Sequence, residues 1–207
     1  MIPLSGETLT GWGVRMAGRA YAIFDTAIGR CGMVWSSTGV VAVQLPEARE
    51  IETRRRIFSV HPEARELRPP PEIALAIDGV AGALRGDSTD LADIGLDFSG
   101  MPAFNRRTYE VARTIPRGET RTYGEIARAL GASGALHSVA QAICKNPFMI
   151  VVPCHRVLET GNYADRISPY GGVISKRRLL SIEGAQPIAS KTLFDVLLPV
   201  APPRAPT

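Results

Sequence analysis

Cysteine and histidine are scarce, with three of each in 207 residues. Cys31, Cys144 and Cys154 are odd in number and widely spaced, so they build no disulfide framework. With no CxxC pair, a structural zinc has no ligand pattern to rest on. Long apolar runs are missing: nothing approaches the roughly 20 residues of a membrane helix, and mean hydropathy is +0.03. The opening MIPLSGETLTGWG has neither the basic start nor the apolar run of a secretory signal. The default compartment is the cytoplasm, where thiols stay reduced. Charge of one sign is barely in excess, 24 basic against 20 acidic residues for a net +4. That is compatible with a polyanionic partner without demanding one. Arg54-Arg55-Arg56, Arg106-Arg107 and Lys176-Arg177-Arg178 are short basic runs, and only clustering on one face makes a nucleic-acid footprint.

What is present is a hydrophobic content of 45%, which allows a real core, in a length that suits one large domain or two small ones. YAIFDTAIG, RCGMVWSS and VVAVQL read as strands of an antiparallel meander, with a turn at 36–39. Residues 47–58 read as a helix with Ile51, Arg55 and Phe58 near one face, the arginine packing its stem. After the prolines at 69–71, a second helix carries Ile73, Ile77, Val80 and Leu84 at helical spacing. The polar stretch from Gly86 to Gly100, with its short LDF run, marks the boundary between two parts. A helix follows over 102–114, with Phe104, Thr108, Val111 and Ile115 on one side.

Then come a short helix at 123–130, a GASG break, and a second helix at 135–145 with Leu136, Val139, Ala140 and Ile143 at core spacing. This is a helix-turn-helix outline, and two packed core helices explain it equally well. The whole is an α/β protein: a small mixed N-terminal domain with an antiparallel sheet (1–100), a mostly helical domain with the helix-turn-helix (101–190), and a disordered tail (191–207).

The chemistry concentrates in PFMIVVPCHR, residues 147–156. Met149 to Val152 read as a buried strand, which Pro153 ends or bends. A thiol is a weak nucleophile until its proton is taken or its thiolate stabilised. His155 and Arg156 are candidates for that work. Neighbours in a strand point to opposite faces, so Cys154 and His155 cooperate only if the backbone turns between them or a water bridges them. A cysteine beside an apolar run is as a rule simply a small buried residue. Residues 159–172 form a polar loop of the kind that binds ligands. A closing helix at 175–183 ends on Glu183, which either orients His155 or lies solvated at a helix end.

The run FMIVVPCHRVL after Asn146-Pro147, with RGETRTYGEIARALG upstream and GGVISKRRLLSIEG downstream, resembles the methylated-DNA–protein-cysteine methyltransferase family, the O6-alkylguanine-DNA alkyltransferases. DTAIGRCGMVWSSTGVVAVQL resembles the family's first domain, so the likeness runs from about residue 24 to 185. The resemblance implies a monomer that acts on double-stranded DNA, flips an O6-alkylguanine out of the stack, and moves the alkyl group, once, onto its own cysteine. O4-alkylthymine is a further implied substrate. No metal or organic cofactor is implied.

By matching positions, Cys154 resembles the alkyl acceptor, His155 the base acting through a water, and Glu183 the carboxylate that orients it. Asn146 resembles the residue that holds the turn, and Tyr123 the tyrosine beside the flipped nucleotide. Arg156, Val157, Tyr170, Gly171 and Lys176 fall in the substrate and DNA-contacting set, with the backbone at Val157 and the Tyr170 loop lining the pocket.

Two departures stand out. The family's second helix usually carries Arg-Ala-Val-Gly, whose arginine enters the base stack and whose small residues allow a close approach to the minor groove. Here His137-Ser138-Val139-Ala140 occupy those places. The pocket loop usually reads Tyr-x-Gly-Gly, and here it reads Pro169-Tyr170-Gly171-Gly172. These changes leave open a lesion-binding protein with weak or no transfer, or a transferase with altered lesion or DNA-context preference.

Overall fold

The computed structural model describes residues 18–158 and 173–185. The expectations for the irregular start, the 159–172 loop and the tail lie outside these residues. Three strands form the meander: β1 (Ala20–Thr26), β2 (Gly29–Trp35) and β3 (Val40–Gln44), antiparallel in sequence order. A two-residue strand, β4 (Arg65–Glu66), adds to the outer side of β1 in parallel. It is too short to leave a periodic signal.

Strand alternation divides the sheet into two apolar faces. Tyr21, Val34 and Ala42 join Ile57 and Ala64 on one face, beneath helix α1 (Glu50–Val60). Ala20, Ala22, Cys31, Met33, Trp35 and Val43 line the other, in a cluster that continues through helix α2 (Pro71–Arg85) into the C-terminal helices. Pro71 opens α2 at its first turn, where a missing N–H costs nothing. Gly86, at φ 104°, closes it in the left-handed conformation.

The buried face of α1 differs from the sequence expectation. Ile51 and Phe58 are exposed, and Thr53 and Ile57 are the buried pair. The cause is the close approach of the helix to the sheet. A Cβ at Gly32 would run into Ile57, and Thr53 is buried one turn earlier. Its hydroxyl is satisfied by accepting from the Glu47 N–H at 3.0 Å. Phe58 packs instead edge-on against the Tyr21 ring, 5.3 Å between centroids.

The segment after α2 returns to β3. Val40 donates to Gly95 O, and Asp97 N donates back to Val40 O. The C-terminal part holds helices α3 (Ala103–Arg113), α4 (Tyr123–Ala129), α5 (Leu136–Cys144) and α6 (Val173–Ile182). In α3 the most buried face is Thr108, Tyr109 and Ala112, with Phe104 and Val111 half-buried beside it. The Tyr109 hydroxyl donates to Ala142 O at 2.8 Å and pins α3 to α5. Thr122 and Glu125 form a reciprocal capping box at the start of α4. In α5, Val139, Ala142 and Ile143 face inward, Ala140 is half-buried, and Leu136 is exposed rather than in the core. The helix begins only at Leu136, and its first turn projects beyond the packed layer.

The apolar run before Cys154 is buried, but it is not a strand. It folds into a tight turn. Val43 N donates to Pro147 O, Phe148 N donates to the Asn146 side-chain carbonyl, and the Asn146 amide donates to Val152 O. Val152 N closes the loop onto Phe148 O at 2.8 Å. Ile150 sits at φ 73°, a conformation that a β-branched residue rarely adopts. One asparagine side chain thus supplies the hydrogen bonds that a neighbouring strand would have given. Phe148 anchors the turn by edge-on contacts with Phe98 and Tyr109, each contributing about 0.5–1.5 kcal/mol beyond burial.

Candidate active site

The turn delivers Cys154, His155 and Arg156 as one turn of 3-10 helix. At three residues per turn, neighbouring side chains lie roughly 120° apart rather than on opposite faces. This is the backbone turn that cooperation between Cys154 and His155 requires. The next two residues, Val157 and Leu158, form strand β6, parallel to β5 (Arg121–Thr122). That short ladder sets Tyr123, the first residue of α4, beside the segment that follows the cysteine. No sequence period announces the ladder, although the T-x-x-E spacing of Thr122 and Glu125 marks the helix start.

Cys154 is 5% exposed. Burial pushes its thiol pKa up, against smaller downward effects from the Asn146 amide and the positive charge of Lys176. The resting group is therefore a thiol rather than a thiolate. Its Sγ donates to the Met149 sulfur at 3.5 Å. Lys176 Nζ donates to Val157 O at 3.0 Å, which places that charge behind the turn.

His155 is also buried, with Nε2 2.8 Å from Glu183 Oε1. Burial holds the imidazole below its ordinary pKa, and the Glu183 carboxylate opposes this less strongly. The ring is accordingly neutral. A carboxylate only accepts, so Nε2 carries the hydrogen and Nδ1 keeps its lone pair. Nδ1 is buried and has no hydrogen-bond partner among the described residues.

Glu183 is held from the other side by Arg156, whose Nε and Nη2 each donate to the carboxylate at 2.8 Å. The third arginine bond runs from Nη1 to Ile115 O at 2.6 Å. Burial would raise the Glu183 pKa, but the hydrogen bonds from His155 and Arg156 outweigh it and hold the group at about 2. Arg117 donates to Ile182 O and fixes the end of α6 where Glu183 begins.

The structure thus gathers Cys154, His155, Glu183, Asn146 and Lys176, with Val157 buried beneath them. Arg156 belongs to the same cluster, where it donates to Glu183. His137 and Ser138 stand apart, exposed on α5, where the His137 ring meets the Gln141 amide at 3.1 Å. Tyr170 and Gly171 lie outside the described residues. Two contributors were missed in the sequence: the second claim of Arg156 on Glu183, and Met149 at the thiol. Among the described residues, no group of His, Cys, Asp and Glu has the makings of a metal site. Likewise, no described helix is long and apolar enough to cross a membrane.

Residues 103–185 match the family model of the 6-O-methylguanine DNA methyltransferase DNA-binding domain. The methylated-DNA–protein-cysteine methyltransferase of Methanothermobacter thermautotrophicus is 37% identical over 153 residues, covering 74% of this chain and 78% of that protein. The enzyme of the same description from Mycolicibacterium paratuberculosis is 42% identical over 127 residues, 61% of this chain and 74% of its own. Among solved structures, the O6-methylguanine methyltransferase of Mycobacterium tuberculosis superposes with a TM-score of 0.64 at 32% identity, over 86% of this chain and 99% of that one. The DNA complex of the M. tuberculosis protein matches with a TM-score of 0.61 at 30% identity, over 80% and 92%.

Proposed function

The chain belongs to the methylated-DNA–protein-cysteine methyltransferase family, single-turnover enzymes that move an alkyl group from DNA onto a buried cysteine of their own, and we propose that Cys154 is the acceptor here, with His155 its base and Glu183 the group that orients the base. The observation that carries this reading is the polarised pair at the site. A neutral imidazole backed by an ionised carboxylate presents a lone pair at Nδ1, next in sequence to a protonated thiol.

The step is a displacement at saturated carbon. The thiol proton passes to His155 Nδ1 through a bridging water, and the sulfur pair forms the new S–C bond. The C–O6 bond breaks with its electrons on the guanine, which Tyr123 stabilises by hydrogen bonding. The imidazolium left behind is paired with Glu183, which Arg156 holds in place. Asn146 keeps the turn closed around the thiol. Lys176 and the backbone at Val157 belong to the substrate-contacting set, as do Tyr170 and Gly171 by the family resemblance. His137, Ser138 and Ala140 on α5 meet the duplex, with His137 in the place of the arginine that fills the vacated stack. Residues 1–100 support the transferase part, 101–190, and 191–207 are a tail. The setting is the cytoplasm, which suits a reduced thiol.

Intact-protein mass after mixing with excess duplex carrying one O6-methylguanine tests the reading. The expected result is a gain of one methyl group, absent in Cys154→Ala. Tight duplex binding with no gain in mass would instead mark a lesion-binding protein.

A further inference from the structure

At rest the thiol and its base are not joined to each other. Cys154 Sγ donates to Met149 Sδ at 3.5 Å, while His155 Nδ1 has no partner among the described residues. Met149 is 3% exposed and sits inside the turn that Asn146 clamps, bridged to Val152. A thioether packs as an apolar group and accepts a hydrogen bond only weakly. Both properties favour the neutral thiol. A thiolate facing Met149 would lose its donor role there and set the lone pairs of two sulfurs against each other, which leaves the Asn146 amide and the Lys176 charge as its support.

Resting on the assignment of Cys154 as acceptor, we propose that Met149 is a positioning residue that holds Cys154 as a neutral, inward-turned thiol until alkylated DNA occupies the site. Transfer then requires the S–H to leave Met149. Its proton goes to His155 Nδ1, the sulfur pair goes to the alkyl carbon, and the electrons of the broken C–O6 bond remain on the guanine. Until that moment the sulfur is shielded from oxidants and small electrophiles, whose attack depends on thiolate character and access. A protein that uses its cysteine once gains from that shielding.

The test compares wild type with Met149→Leu in the full chain. Alkylation of Cys154 by iodoacetamide is followed across pH by peptide-resolved mass spectrometry, which separates it from Cys31 and Cys144. In the variant the pH midpoint is expected to move down and the rate at neutral pH to rise about threefold, as thiolate becomes easier to form. An unmoved midpoint overturns the proposal, including the case where the whole curve is only scaled, as loss of packing would do. If Met149→Leu does not fold, wild-type protein labelled with 13C at its methionine methyls decides. The Met149 methyl resonance is expected to titrate with the midpoint of Cys154 alkylation, and a resonance indifferent to pH overturns the idea. Methyl transfer to wild-type Cys154 from an O6-methylguanine duplex is measured in parallel. Its absence would defeat the functional reading alone and leave the thiol measurements to be judged separately.

Discussion

Glu183 Oε1 lies 2.8 Å from His155 Nε2, and the same carboxylate takes two further hydrogen bonds from Arg156. The acid is thus aligned from two sides before any substrate arrives. Glu183→Gln keeps the shape and removes the charge, so the developing imidazolium loses its counter-ion. Methyl transfer from duplex DNA, followed by mass under single-turnover conditions, is expected to slow by about tenfold to a hundredfold. A rate within twofold of wild type would show that the carboxylate is only structural.

The same residue makes the fold acid-sensitive. Its pKa falls from an ordinary 4.5 to about 2 on folding. A carboxyl depressed in this way adds stability that is complete above about pH 4.5 and fades as pH falls towards 2, on the order of 3 kcal/mol in all. Urea unfolding at about pH 5 and about pH 3 is expected to differ by about 2 kcal/mol more in wild type than in Glu183→Gln.

The pH dependence of transfer follows from His155. Its pKa is held below the ordinary 6.5 by burial, so the base stays unprotonated as pH falls through that value. The single-turnover rate is expected to hold steady across about pH 6.5 and to decline only in more acidic buffer. Replacing the ring by His155→Asn should remove that acid limb and cost about a hundredfold in rate.

Asn146 satisfies the Phe148 N–H and the Val152 carbonyl, both buried. Asn146→Ala leaves two unpaired backbone groups, at about 1–3 kcal/mol each. Thermal unfolding should fall accordingly, and transfer should drop with it, because the turn that aims Cys154 is no longer closed.

Gly32→Ala tests the approach of α1 to the sheet. Its Cβ meets Ile57, and overpacking of this kind costs about 1–3 kcal/mol. Adding Ile57→Val should recover part of the loss, a coupling that a double-mutant cycle measures directly. Methyl transfer by the folded fraction is expected to be unchanged.

The meander, the main helices and the reactive tripeptide were legible because each writes its own period or composition into the chain. The turn at 146–152 was not. A run such as Phe148 to Val152 carries no phase that separates a strand from a buried loop, and the deciding bonds come from one asparagine side chain. The two-residue strands β4, β5 and β6 are too short for any pattern, yet β5 and β6 set Tyr123 beside the segment that follows the cysteine. On α1 the expected face was Ile51, Arg55 and Phe58, and the missing Cβ of Gly32 on another element makes room for Ile57 instead. Arg156 was a candidate partner for the thiol and, by resemblance, a substrate contact. Its bond to Glu183, 27 residues away, is information no local window contains.

One further consequence belongs to the bond from Val43 N to Pro147 O and the return of Gly95 to Asp97 along β3. Together they cover the outer edge of the sheet, while the opposite edge is a two-residue strand, Arg65–Glu66, carrying both charges. An uncovered apolar strand edge is a template for pairing with another chain. The turn that aims the thiol is therefore also the guard of β3. Loosening it bares an adhesive border, so molecules damaged at this turn will tend to clump before they unfold.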